Sequence, residues 1–398
     1  MQHRIILLVL VLLLITALPA SSQNLDWNIT GAGARAAGFG GAFIGVADDA
    51  TSIVWNPAGL ATLERPELSA VTRYIMESAK TSLKDTTDRG FEKTNELSHF
   101  VFNFVSAAYP MPLGERKLVL AAAYQQQLDF YASRSDRNSS FDSEGGVGTF
   151  TPGLGIRLLP MLSLGGAANV WFGNASGDLS VANSARNWDL TYSGFNLAFG
   201  ALVDLGSFSR PIPLKLGASL KTPFDLTQEK SQGSQTETST IQMPMMLGFG
   251  GSYRIGENLT LAADYEIRMF ADSKMIPPRG NEEPLSQSGE DLNQIRVGAE
   301  YLLVADFGVF PIRAGFQTVP TVFADYDATK RTPGNVFPVR DQVTGTGFAV
   351  GSGYISSRFA LDVTYSRRQF EQENDPNLLV GTRTVATNVI NFSGIIYF

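Results

Sequence analysis

The chain has 398 residues, a formal net charge of −7, 17% charged residues and no cysteine. The acidic balance argues against nucleic acid as a partner, and the lack of cysteine excludes a disulfide scaffold and an N-terminal lipid on Cys. A mean hydropathy of +0.00 excludes a bundle of membrane helices but not a membrane barrel, in which only alternate residues touch lipid.

The N-terminus reads as a secretory signal over residues 1–22. Arg4 is followed by an apolar run from Ile5 to Leu18 and then by small residues, with Ala20 and Ser22 at the cleavage positions. The apolar run is shorter than the roughly 20 residues a membrane helix needs, so the mature chain is expected to start at Gln23.

Residues 23–64 are expected to form a compact plug. From Gly31 to Leu60 the chain is too rich in Gly and Ala for an ordinary strand, and Pro57 with its neighbouring glycines interrupts any long helix. Asp48 and Asp49 precede Ala50-Thr51-Ser52, a pattern that caps a short helix and offers carboxylates for ion pairs. The same pair could contribute to a calcium site, a reading ranked below the cap.

From residue 65 to 398 the sequence alternates with period two, the mark of strands with one apolar and one polar face. Leu259, Leu261, Ala263, Tyr265, Ile267 and Met269 oppose Thr260, Asp264, Glu266 and Arg268. Ile295, Val297, Ala299 and Tyr301 oppose Arg296, Gly298 and Glu300. Phe310, Ile312, Ala314 and Phe316 oppose Arg313 and Gln317, and Phe359, Leu361, Val363 and Tyr365 oppose Asp362, Thr364 and Ser366. Fourteen such strands centre near 67–76, 97–109, 117–131, 148–158, 162–172, 189–204, 214–226, 241–255, 259–270, 292–303, 309–317, 344–354, 358–370 and 384–398. Short connections such as Leu159–Met161 and Gly256–Glu257 alternate with long polar ones such as Glu77–Glu96, Ala132–Val147 and Thr318–Val343. That asymmetry, with an even strand number, is the outer-membrane barrel pattern. Slipping one strand by a residue would turn Arg296 into lipid, at about 2–4 kcal/mol near the midplane. The final strand ends in Phe398, like an outer-membrane assembly signal.

The expected fold is therefore an all-β membrane protein, a 14-stranded antiparallel transmembrane β-barrel with an N-terminal hatch. The lumen is expected to hold Asp264, Glu266, Arg268, Arg296, Glu300, Arg313, Asp362 and Arg368, pairing with one another and with Arg35, Asp48 and Asp49 of the plug, because opposite charges in a confined lumen attract. His99, the one histidine of the mature chain, is placed on the lumen face opposite Phe100, Phe102 and Phe104. No nucleophile elbow accompanies it, so no catalytic residue is assigned. No metal ligand set and no cofactor are expected. Phe323, Tyr326 and Phe337, with Met275, Ile276 and Pro277, are read as loop residues that form an outer apolar groove or pack loop on loop.

Asp48-Asp49-Ala50, followed by Trp55-Asn56-Pro57-Ala58-Gly59-Leu60, resembles the hatch of the FadL-like family of long-chain fatty acid transporters. Asn56, Pro57 and Ala58 match that family's Asn-Pro-Ala motif. The resemblance implies a hatch that fills a fourteen-stranded barrel in the bacterial outer membrane, and passive uptake of hydrophobic small molecules such as long-chain fatty acids. It further implies outer-membrane lipid as surroundings, a lateral gap where a strand kinks, and a monomer. It assigns no pocket residue. A second resemblance, to PorV-like proteins of type IX secretion, implies instead a barrel that binds cargo or secretion partners.

Overall fold

A computed structural model describes residues 31–84, 90–114, 116–136, 139–181, 184–208, 212–232, 235–326, 339–373 and 380–398. The expected signal peptide, the plug's first residues 23–30 and Phe337 lie outside the described residues.

Fourteen antiparallel staves close into a barrel. In chain order they are Glu67–Lys84, Gly90–Leu113, Arg116–Asp129 extended by Ala132–Asp136, Ser139–Leu159, Leu162–Val181, Ser184–Asp204, and Leu214–Lys221 extended by Phe224–Gln232. Gln235–Met243 with Met246–Ile255 forms the eighth. Leu259–Arg268, Leu292–Ala305, Gly308–Tyr326, Val339–Ile355, Phe359–Glu373 and Val380–Tyr397 complete the ring. The first and fourteenth staves pair from Glu67↔Tyr397 to Lys84↔Val380, so the sheet has no free edge.

Every expected strand is present, but most run further than their alternation suggested. The first continues from residue 76 to Lys84 and the eleventh from 317 to Tyr326. The long polar connections are thus largely two-stranded extensions of the wall. Sequence alternation fades there because neither face meets lipid, so both faces tolerate polar residues, while the backbone ladder continues unchanged.

The alternating faces fall as read. Phe195, Phe249, Ile295, Ile312, Phe348, Leu361 and Phe392 point outward and are exposed, forming the lipid belt. Arg296, Glu300, Arg313 and Asp362 point inward and are buried. Phe104 departs from its expected outward facing. A bulge between Val71↔Phe104 and Thr72↔Phe102 inserts Asn103, and both Asn103 and Phe104 are buried inside. One extra residue turns everything beyond it by one facing, which a period-two count cannot detect.

Residues 31–64 lie inside the ring. The segment comprises helix Ala34–Gly38, helix Ser52–Trp55 and the 3-10 turn Pro57–Thr62. Phe39, Phe43, Ile53, Trp55 and Leu60 form its apolar centre with Phe104 and Val119 of the wall. Its backbone lies flat against the barrel because the wall presents glycine where it passes. A Cβ on Gly315 would stand 2.1 Å from the Gly40 nitrogen, and one on Gly298 would stand 2.3 Å from the Phe39 carbonyl oxygen.

Candidate functional site: the plug, its ionic wall and the cleft above it

The Asn-Pro-Ala turn is a hydrogen-bonding node. Asn56 Nδ2 donates to the Ile44 carbonyl at 3.0 Å and to the Ala201 carbonyl of the sixth stave at 3.1 Å. Its Oδ1 accepts from the Ala58 N–H at 3.2 Å. Pro57 occupies the first position of the 3-10 turn, where a missing N–H costs nothing. Ala58 and Gly59 are fully enclosed, and a Cβ at Gly59 would meet the Ala47 carbonyl at 2.0 Å. The motif therefore joins two parts of the plug to each other and to the wall.

Arg35 is the ionic link. It pairs with Asp48, lies 3.6 Å from Asp49, and reaches Glu300 of the tenth stave at 3.3 Å. Glu300 also takes Arg313 at 2.6 Å, and Arg313 takes Asp362 at 2.5 Å. The chain of charges runs from plug to wall and across three staves. Burial pushes the Asp49 carboxyl up from its ordinary value, against the opposing pull of Arg35. Asp49 Oδ1 accepts from the Thr51 N–H at 2.9 Å, one residue ahead of helix Ser52–Trp55, while Asp48 makes the ion pair. No side chain caps that helix, so the cap expected of the aspartates is not formed, and both lie within ion-pair distance of Arg35.

A second cluster lies on the neighbouring staves. Glu266 accepts from Arg268 at 2.6 Å and from Arg296 at 3.2 Å, and Gln294 Oε1 accepts from the same two guanidinium groups. Asp264, expected to pair with the other lumen charges or with the plug, is the cross-strand neighbour of Arg296. It also binds the plug: its Oδ2 accepts the Phe43 and Ile44 N–H groups at 2.6 and 2.8 Å, because the plug backbone turns two donors toward it. Arg368 is half-buried on the Asp362 face of the thirteenth stave, further toward the long hairpins. Gln294 and Lys221 escaped the sequence reading, since a lone amide or lysine carries no signal outside its three-dimensional setting.

Above the plug, toward the long hairpins, the lumen is apolar. Phe130, Trp171, Tyr192, Leu226, Met243 and Phe270 are among the buried residues of this cluster. Phe323 and Met275, expected in outside loops, pack against it from the wall and its hairpin, because burial inside the barrel removes their apolar surface from water. A narrow cleft lies between the cluster and the plug, with Ile53 and Val54 as part of its lining.

The wall is irregular beside this cleft. The second stave bulges at Asn103 and the third at Gln127. The ladder between the fourth and fifth staves skips Thr151 and Pro152, which lacks an N–H. His99 faces inward nearby, with Nε2 2.5 Å from Asp129 Oδ2 and its ring 4.4 Å from that of Tyr131. No serine hydroxyl lies within hydrogen-bond distance of His99 among the described residues.

A FadL homologue from Pseudomonas aeruginosa superposes with a TM-score of 0.67, covering 93% of this chain and 99% of that chain at 14% identity. The chain folds as a FadL-type barrel. The toluene transporter TodX of P. putida matches this FadL-type fold with a TM-score of 0.64 at 12% identity, over 93% of this chain and 99% of that one. The toluene transporter TbuX of Ralstonia pickettii follows at 0.57 and 16%, over 94% and 100%. No family model and no curated protein matches the sequence, so the likeness is one of FadL-type architecture rather than of residues.

Proposed function

We propose that this protein is an outer-membrane channel for passive entry of hydrophobic small molecules. The observation that carries the reading is the enclosed apolar cluster in the outer half of the lumen, which leads to a cleft on the plug. The lipid belt and the closed ring suit an outer membrane, and barrels of the same architecture include transporters of toluene. A hydrophobic solute gains about 25 cal/mol for each Å² of apolar surface it withdraws from water, so the lumen attracts it without an energy source. Residues 23–64 then act as the hatch, held shut by Asn56 and Arg35. Displacement of the hatch, or passage through the irregular wall at Asn103, Gln127 and Pro152, releases the solute.

The cargo-binding alternative needs a wide apolar surface open to the outside. The apolar residues here are enclosed in the lumen, which favours small solutes. Saturable binding of labelled toluene and of a labelled long-chain fatty acid to the purified barrel tests the reading and ranks the two. It predicts saturable binding of at least one that Leu226→Asp removes, because a carboxylate in the cluster is costly. Absence of saturable binding contradicts it.

A further inference from the structure

The ninth stave stops at Arg268 and the tenth begins at Leu292, while the flanking eighth and eleventh staves run on outward to Gln235 and Tyr326. This leaves a notch in the outer wall, and residues 269–291 fill it as a panel. The panel stands on Phe270 and Leu292, both buried in the apolar cluster. Between these feet the Ala271 N–H donates to Asp291 Oδ1 at 3.0 Å. Met275 and Leu285 of the panel pack against the cluster, and Ser273 and Ser286 are buried. The panel therefore covers the apolar surface of the lumen from outside.

Its side edges are lightly held. Toward the eighth stave, Thr240↔Ile276 and Ile241↔Met275 are the ladder pairs formed among the described residues. The other side of Gln235–Met243 pairs with the seventh stave along its whole length. Toward the eleventh stave, the Gln287 N–H donates to the Val322 carbonyl at 2.8 Å, and Gln287 Oε1 accepts from the Ala324 N–H at 3.2 Å. The outer rim adds Lys274 with Glu282 inside the panel and Arg279 with Glu237 of the eighth stave at 3.8 Å. These pairs are exposed and contribute little. A segment with fixed feet and two short edges opens locally far more readily than staves joined by full ladders.

We propose that residues 269–291 are the entry door of the lumen, swinging outward on the feet at Phe270 and Leu292 to admit a hydrophobic solute to Leu226 and Met243 of the cluster. Closing returns Met275 and Leu285 to the cluster, which withdraws their apolar surface from water and seals the solute inside. The bulges at Asn103 and Gln127 lie in the second and third staves, on the far side of the ring, so entry and release are separated. This rests on the uptake reading and assigns its way in.

Thr240 and Ile276 are direct cross-strand partners, with Cα atoms about 4.5–5.5 Å apart, a span that a disulfide can bridge. The chain has no cysteine of its own. The test combines Thr240→Cys with Ile276→Cys and follows uptake of labelled toluene by cells that lack the native protein. Cross-linking is confirmed by mass spectrometry and folding by heat-dependent gel migration. The oxidised pair should take up toluene several-fold more slowly than the same protein after reduction, and each single variant should match the wild type. In a second arm, Gln287→Ala loosens the edge on the eleventh stave. The thiol of Ser273→Cys should then react several-fold faster with a water-soluble maleimide. Full uptake through the cross-linked barrel, or no gain in labelling with Gln287→Ala, overturns the door and leaves the uptake reading standing. If the wild-type chain speeds entry of neither toluene nor a long-chain fatty acid over the deleted cells, the uptake reading itself fails.

Discussion

Arg35 of the plug lies 3.3 Å from Glu300 of the tenth stave, whose carboxylate also holds Arg313 at 2.6 Å. One buried acid therefore ties the N-terminal segment to the wall. Arg35→Glu would set a further acid beside Asp48, Asp49 and Glu300. Removing one partner of a buried pair costs about 3–5 kcal/mol, and the 20% exposure of the Arg35 side chain places this loss near or below the lower figure. Planar-bilayer recordings should show opening events that the wild type lacks, and an unchanged trace would remove Arg35 from the closing device.

Asn56 makes three hydrogen bonds, each of which joins separate pieces of backbone or shapes the turn. Asn56→Ala removes all three, at about 1 kcal/mol each, and leaves the Ile44 and Ala201 carbonyls without that donor. The barrel itself should persist. Limited proteolysis in detergent should cut residues 31–64 several-fold faster in the variant, with the barrel band intact. Equal cutting rates would show that the motif does not hold the plug.

The glycine wall gives a matched pair of substitutions. A methyl at Gly315 would sit 2.1 Å from the Gly40 nitrogen, whereas one at Gly166 would find its nearest atom at 3.9 Å. Gly315→Ala should therefore destabilise the seated plug by about 1–3 kcal/mol, the usual cost of overpacking, and Gly166→Ala should not. The same proteolysis assay reads both. Identical behaviour of the two variants would mean that close approach of plug and wall is not required.

Arg313 is 1% exposed and holds both Glu300 and Asp362. Arg313→Leu strands Asp362 and weakens the anchor of Arg35, at about 3–5 kcal/mol. The thermal transition of the detergent-solubilised barrel should fall by several degrees. A transition at the wild-type temperature would mean that water reaches these acids and replaces the guanidinium.

The barrel was legible in the sequence wherever one face meets lipid. Ile295, Val297 and Tyr301 against Arg296 and Glu300 fix a facing that the structure repeats residue for residue. Beyond the membrane that contrast disappears, and the extensions toward Lys84 and Tyr326 carry no such mark. Phe104 was misplaced because the Asn103 bulge adds a residue without changing the local pattern. The ionic link of Arg35 could be anticipated from charge alone, but not its partner, since Glu300 is 265 residues away. Lys221 and Gln127 became visible only when folding brought them to one cleft.

The central claim is that the apolar lumen carries hydrophobic solutes across the outer membrane. The direct test is the initial uptake rate of a labelled aromatic hydrocarbon in cells deleted for this protein and for any paralogue. Uptake should fall on deletion, return with the wild-type chain, and stay low with Leu226→Asp at equal surface level, because a charge would then interrupt the apolar path. Uptake that is the same in the deleted cells, or that Leu226→Asp restores in full, would contradict the claim.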